Sequence, residues 1–145
     1  MFFWAITERR IDWEILSQRL SEIKRLTVLY GSMKSKERAK EITKFKSFSK
    51  EQGGAVLLAT GKLIGEGFDE AKLDTLFLTM PISDRSVLIQ YVGRLHRLCD
   101  PKTEARVVDY RDSQDLRLER MFLKREKFYR VIGYQTDKFE RSLLI

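Results

Sequence analysis

The stretch Ala59-Thr60-Gly61-Lys62-Leu63-Ile64-Gly65-Glu66-Gly67-Phe68-Asp69 leaves an apolar run and turns on three glycines. Gly61, Gly65 and Gly67 let backbone N–H groups approach a phosphate or a ribose with no Cβ in the way. Thr60 adds a hydroxyl and Lys62 a cation, a donor set that suits a polyanion. A second constellation follows. Gln90, Arg94 and Arg97 fall at i, i+4 and i+7, opposite the apolar stripe of Leu88, Tyr91, Val92 and Leu95. Two guanidiniums one turn apart, with Gly93 leaving space beside them, form a fork suited to a triphosphate. Such groups neutralise charge on a phosphoryl group in transfer. Each stretch alone has a plainer reading, as a glycine-punctuated turn and as a solvated basic helix face. His96, between the arginines, reads as a local hydrogen-bonding residue rather than a catalytic one.

These residues need a scaffold, and hydrophobic periodicity supplies one. Phe2 to Thr7, Thr27 to Tyr30, Ala55 to Ala59, Thr75 to Thr79 and Ala105 to Tyr110 read as strands. Between them, helices are predicted over Ile11 to Ile23, Lys36 to Phe48 and Arg85 to about Arg97, the last capped by Ser83 or Asp84. Alternating strands and helices imply an α/β fold with a parallel sheet. Ligands bind such sheets at strand ends, which is where the Thr60 turn begins. From Gln114 the character changes to a charged helix, Asp115 to about Ile132, which Gly133 can terminate. Leu116, Leu118, Met121, Phe122 and Phe128 are its candidate docking residues. The expected division is residues 1–112 as the sheet domain and 113–145 as a helical extension packed on it.

The 28 Lys+Arg against 21 Asp+Glu give a net charge of +7, which favours an anionic partner, though solubility alone can account for it. A hydrophobic share of 43% and 145 residues support one domain with a real core. Single residues of Cys99 and His96 exclude an internal disulfide and make a structural metal centre implausible, so no metal ligand is assigned. The apolar opening lacks the features of a signal peptide, and no run is long enough to span a bilayer, so a cytoplasmic protein without membrane contact is expected.

Residues 59–69 resemble motif V, and Gln90-Tyr91-Val92-Gly93-Arg94-Leu95-His96-Arg97 resembles motif VI, of superfamily 2 helicases. Their order, with the strand Leu73 to Met80 between them, matches that superfamily. Phe3 to Arg9 resembles motif IV. Leu29-Tyr30-Gly31 followed by Arg38 resembles the Leu-His-Gly segment after it, with Tyr30 replacing the usual histidine. Val107 to Tyr110 and Met121 to Tyr134 resemble the tail of bacterial helicases related to type III restriction Res subunits. The resemblance implies a RecA-like C-terminal lobe, a P-loop NTPase-type sheet without a P-loop. It implies nucleic-acid backbone contacts at Thr7, Gly31, Thr60, Gly61 and Lys62, nucleotide contacts at Gly67, Asp69, Gln90, Arg94 and Arg97, and catalytic arginine fingers in Arg94 and Arg97. ATP and Mg2+ would belong to the complete two-lobe enzyme. An N-terminal RecA-like lobe carrying Walker A and B is the implied partner, and the restriction-type likeness favours DNA over RNA.

A P-loop requires Gly-x-x-x-x-Gly-Lys-Ser/Thr, but Val56 stands where the first glycine would precede Gly61-Lys62, and Leu63 follows. Asp69-Glu70-Ala71-Lys72 imitates a Walker B box, yet Gly65 to Phe68 precede it where a hydrophobic strand should. The segment alone is therefore expected to be catalytically silent. A free-standing basic nucleic-acid-binding module without ATP chemistry is the alternative.

Overall fold

A run as apolar as Ala55-Val56-Leu57-Leu58-Ala59 needs its backbone paired and both its faces covered. The computed structural model describes residues 2–7, 10–49, 53–60, 70–98 and 102–136, with side chains from residue 15 onward. It gives the run such a place. In chain order the elements are β1 (Phe2–Thr7), α1 (Arg10–Arg19), β2 (Leu26–Leu29), α2 (Ser35–Ser47), β3 (Ala55–Thr60), β4 (Thr75–Leu78), α3 (Arg85–Leu95), β5 (Arg106–Asp109) and α4 (Leu116–Val131). The strands form one sheet in the order β2-β3-β1-β4-β5, every neighbouring pair parallel. Leu57, Leu58 and Ala59 are successive yet all buried, as a centrally placed parallel strand covered on both faces requires. Among the described residues no helix is long and apolar enough to cross a membrane.

The helices follow the sequence expectation with shifted ends. Phe45 of α2 is fully buried, with Ile42 and Phe48 packed against the core beside it. In α1 the expected helix to Ile23 stops at Arg19. Ser21 and Ile23 donate to carbonyls three residues back, the tighter geometry that closes helices, and Ile15 is left 48% exposed. Asp84, not Ser83, caps α3, and Asp115 caps α4. Gly133 ends α4 at φ +88, with Tyr134 N–H donating to Tyr129 O at 2.9 Å and Gly133 N–H to Arg130 O at 3.2 Å. That pair of bonds is a Schellman cap, and the rings of Tyr134 and Tyr129 supply its apolar contact, centroids 6.1 Å apart.

How α4 docks differs from the expectation. Leu116 is 71% exposed, and Leu118, Met121 and Phe122 are only half-buried, so of the five expected docking residues Phe128 alone is buried. The other buried residues are Arg125 and Tyr129. Arg125 meets Asp109, the last residue of β5, through two parallel bonds, Nε to Oδ2 at 2.7 Å and Nη2 to Oδ1 at 2.9 Å. Its Nη1 donates to Ile82 O at 2.9 Å, and Tyr129 Oη donates to Asp109 Oδ2 at 3.0 Å. A charge among apolar residues persists only when paired and hydrogen-bonded throughout, and this one is. Arg125→Ala should therefore lower the unfolding free energy by about 3–5 kcal/mol in urea melts, since Asp109 would be left charged and buried. Joint replacement by Asp109→Leu and Arg125→Met should recover part of that loss. A single variant within about 1 kcal/mol of wild type would contradict the clamp.

Candidate nucleotide and nucleic-acid site

In a parallel sheet all strands end at one edge. The connection after β1 runs towards β2 and the connection after β3 runs towards β4, so the winding reverses between β1 and β3. Crevices at such reversals are where open α/β sheets bind ligands. Thr7 and Thr60, the last residues of these two strands, are register partners across that point. On the far side of β3, Leu29 pairs with Ala59, placing the half-buried Tyr30 and the exposed Gly31 at the same edge. Thr7, Thr60 and Gly31 are thus brought together by topology, although α1, α2 and their loops separate them in sequence. Gly31 has no positive φ, and a Cβ built there meets nothing within 4 Å. Neither conformation nor internal packing demands glycine, and the open space admits close approach by an external group. Gly61, Lys62, Gly67 and Asp69 lie outside the described residues.

The arginines lie elsewhere. From Asp84 the helix α3 runs back along the sheet, burying Leu88, Tyr91, Val92 and Leu95 and leaving Gln90 exposed, Arg94 half-buried and Arg97 exposed. Its first turn is fixed by Asp84, whose Oδ1 accepts from Ser86 Oγ at 2.6 Å, Ser86 N at 2.7 Å and Val87 N at 3.4 Å. The Ser86 hydroxyl, then the two amides, hold this carboxyl below the usual carboxylate range. At the other end Lys102 Nζ donates to Arg97 O at 3.1 Å and to Ala71 O at 3.3 Å. Ala71 precedes β4 and Lys102 precedes β5, so Arg97 sits at the N-terminal edge of the sheet. Beside Arg94, Gly93 faces open space, with nothing within 4 Å of a built Cβ. Gln90 and Arg97 thus lie on the exposed side of α3, whereas Arg94 is half-buried with its Nε out of solvent contact. His96 makes an edge-to-face contact with Tyr134, centroids 5.5 Å apart, and so links α3 to the turn after α4. The Tyr134 hydroxyl is buried without a partner among the described residues, and burial pushes its pKa up to about 12.

Two lysines that carried no motif hold this edge. Lys72 Nζ donates to Lys46 O at 2.7 Å and Phe48 O at 3.2 Å, closing the carbonyl end of α2, and Lys102 clasps the end of α3. Their acceptors are backbone carbonyls, which no side-chain pattern reveals. They hold the approach to β4 at the N-terminal edge of the sheet, opposite the edge at which Thr60 ends β3.

Comparison with known proteins follows from this geometry. The family model for the helicase conserved C-terminal domain matches residues 1–99. Protein 108L of Invertebrate iridescent virus 3 is 36% identical over 84 residues, 58% of this chain and 76% of that protein. Among solved structures, the C-terminal part of the Fun30 ATPase domain is similar at TM-score 0.68 and 17% identity, over 83% of this chain and 38% of that one. The C-terminal domain of the DEAD-box protein Dbp5 is similar at 0.64 and 16%, over 91% of this chain and 69% of that one. A variant of the S. cerevisiae Dbp5 C-terminal domain bound to Gle1 and IP6 gives 0.60 and 17%, over 90% and 69%. The chain thus spans 38% of the Fun30 chain it matches. The shared fold is RecA-like.

Because the folded-state pKa of Asp84 is depressed, its contribution is complete above the ordinary carboxylate pKa of about 4 and is lost as pH falls through the lower folded value. Asp84→Ala should lower the melting temperature at neutral pH, and the gap to wild type should shrink steadily below about pH 4. A gap independent of pH would mean that the carboxylate is not what caps α3.

Proposed function

This chain belongs to the helicase conserved C-terminal domain family, and from that premise we propose that it is the second motor lobe of an ATP-dependent helicase or translocase of superfamily 2. The observation that carries the reading is the division of the sheet into two working edges. Thr7, Gly31 and Thr60 share the C-terminal edge, where a nucleic-acid backbone passes and Gly61 and Lys62 add donors. Gln90, Arg94 and Arg97 lie along α3 towards the other edge and face the phosphates of ATP bound on a preceding RecA-like lobe with Walker A and B. Gly67 and Asp69 approach the ribose or the arginines. Nucleotide with Mg2+ supplies the phosphoryl group; this chain supplies the guanidiniums of Arg94 and Arg97, which stabilise the charge in transfer. The open space beside Gly93 fits such an approach.

The track is DNA in this reading, favoured by the likeness of Val107 to Tyr110 and Met121 to Tyr134 to restriction-type Res subunits. The Fun30 match, to an ATPase domain, agrees with ATP-driven motion. Without Walker A or B the isolated chain holds no Mg2+-ATP and should show no nucleic-acid-stimulated ATPase. In the two-lobe enzyme Arg97→Ala and Arg94→Ala should each lower turnover by about three orders of magnitude with ATP binding intact. Arg19→Ala, an exposed α1 residue carrying the same charge, should change it less than about twofold. Equal turnover in all three variants, or hydrolysis by the isolated chain, would remove the arginine-finger assignment.

A further inference from the structure

The outer face of α4 has no part in either working edge, yet it concentrates charge. Helical steps place Arg117, Arg120, Lys124, Lys127 and Arg130 within one arc of about 140°, and all five are exposed. No acid lies within that arc. Glu119 is held by Arg111 Nε at 2.9 Å, and Glu126 pairs with Arg130, both at its margin. Arg117 reaches Asp115 at 3.3 Å with its side chain 86% exposed. Arg120, Lys124 and Lys127 have no acidic partner among the described residues. Cations recur every three or four residues, about 4.5–6 Å along a rigid rod.

Position adds to composition. Arg125 anchors α4 on Asp109 at the C-terminal end of β5, and no residue of α4 before Arg125 is buried. The first half of the helix therefore starts from the same sheet edge that carries Gly31, Thr60 and Thr7, in the order β2, β3, β1, then β4 and β5. From β2 to β5 is about 19 Å at the usual strand spacing. The aromatic residues of α4 are turned inward, Phe128 and Tyr129 buried and Phe122 under Arg111 and Arg125. Leu116, Leu123 and Val131 are scattered among the cations. The face lacks the aromatic anchors that protein interfaces use, and its aliphatics form no continuous stripe for a bilayer. A straight row of five exposed cations, three of them without an acidic partner among the described residues, fits a row of phosphates.

We propose that the solvent face of α4 is a second phosphate-backbone surface, binding duplex nucleic acid that flanks the strand held at the sheet edge. It rests on the nucleic-acid reading above, and one titration separates the two. The 145-residue chain is titrated onto a fluorescein-labelled duplex of about 24 base pairs at several salt concentrations. One variant carries Arg117→Gln, Arg120→Gln, Lys124→Gln and Lys127→Gln, changes that retain helix propensity. A control of equal net charge carries Arg19→Gln, Lys24→Gln, Lys40→Gln and Lys46→Gln, all exposed on or near α1 and α2. Circular dichroism verifies that both are folded. The α4 variant should lose about tenfold or more in affinity, and its salt slope should flatten by roughly 3, whereas the control loses less than about threefold. Equal losses would mean bulk charge alone and would overturn the surface while leaving the motor reading intact. Polyglutamate bound as tightly as the duplex through the same four residues would also overturn it, in favour of an acidic protein partner. No binding of wild type at low salt would remove the nucleic-acid reading itself.

Discussion

Arg125 is a charge that water cannot reach, and the fold is arranged so that it need not. Burying a guanidinium costs several kcal/mol unless its donors are met, and here the Asp109 carboxylate and the Ile82 carbonyl meet them. The partners come from different parts of the chain. Asp109 ends β5, Ile82 O belongs to the turn before α3, and Tyr129 closes the second oxygen of Asp109 from α4 itself. One buried pair thus ties the sheet edge, the root of α3 and the C-terminal helix into a single piece. Burial and the neighbouring Asp109 charge push the Tyr129 hydroxyl far above the ordinary tyrosine range, so it remains a donor at any pH at which the protein functions.

That rigidity bears on α3, because the same helix is held at both ends. Asp84 fixes its first turn, Lys102 holds the carbonyl of Arg97, and His96 rests against Tyr134 just beyond α4. An arginine finger needs its backbone placed before its guanidinium can meet a phosphate. In the proposed reading nucleic acid lies at one edge and the phosphates of ATP towards the other, and α3 itself runs from the end of β4 back to the edge at which β5 starts.

Much of this was legible in residue order. The continuous apolar run at Ala55 to Ala59 marked a parallel strand buried on both faces, and the stripe of Leu88, Tyr91, Val92 and Leu95 marked the inner side of α3, leaving Gln90 and Arg97 outside as expected. Gly133 was readable as the stop of α4 because left-handed backbone is what glycine supplies there. The docking of α4 was not legible. Leu116 looked like an anchor because it is apolar, whereas the anchor is Arg125, whose partner Asp109 lies in another element and shares no spacing rule with it. Lys72 and Lys102 escaped for a related reason: their acceptors are carbonyls brought near by the sheet, not by sequence. Strand order, too, is absent from periodicity, and without it the meeting of Thr7 with Thr60 could not be derived.

The central claim is that the two edges of this sheet have different ligands. Backbone amide NMR of the 145-residue chain, titrated with a single-stranded DNA of about 12 nucleotides at low salt, tests it most directly. The account predicts that the amides of Thr7, Gly31 and Thr60 shift together while those from Gln90 to Arg97 stay in place. Shifts confined to Gln90 to Arg97, with the C-terminal edge unmoved, would contradict it.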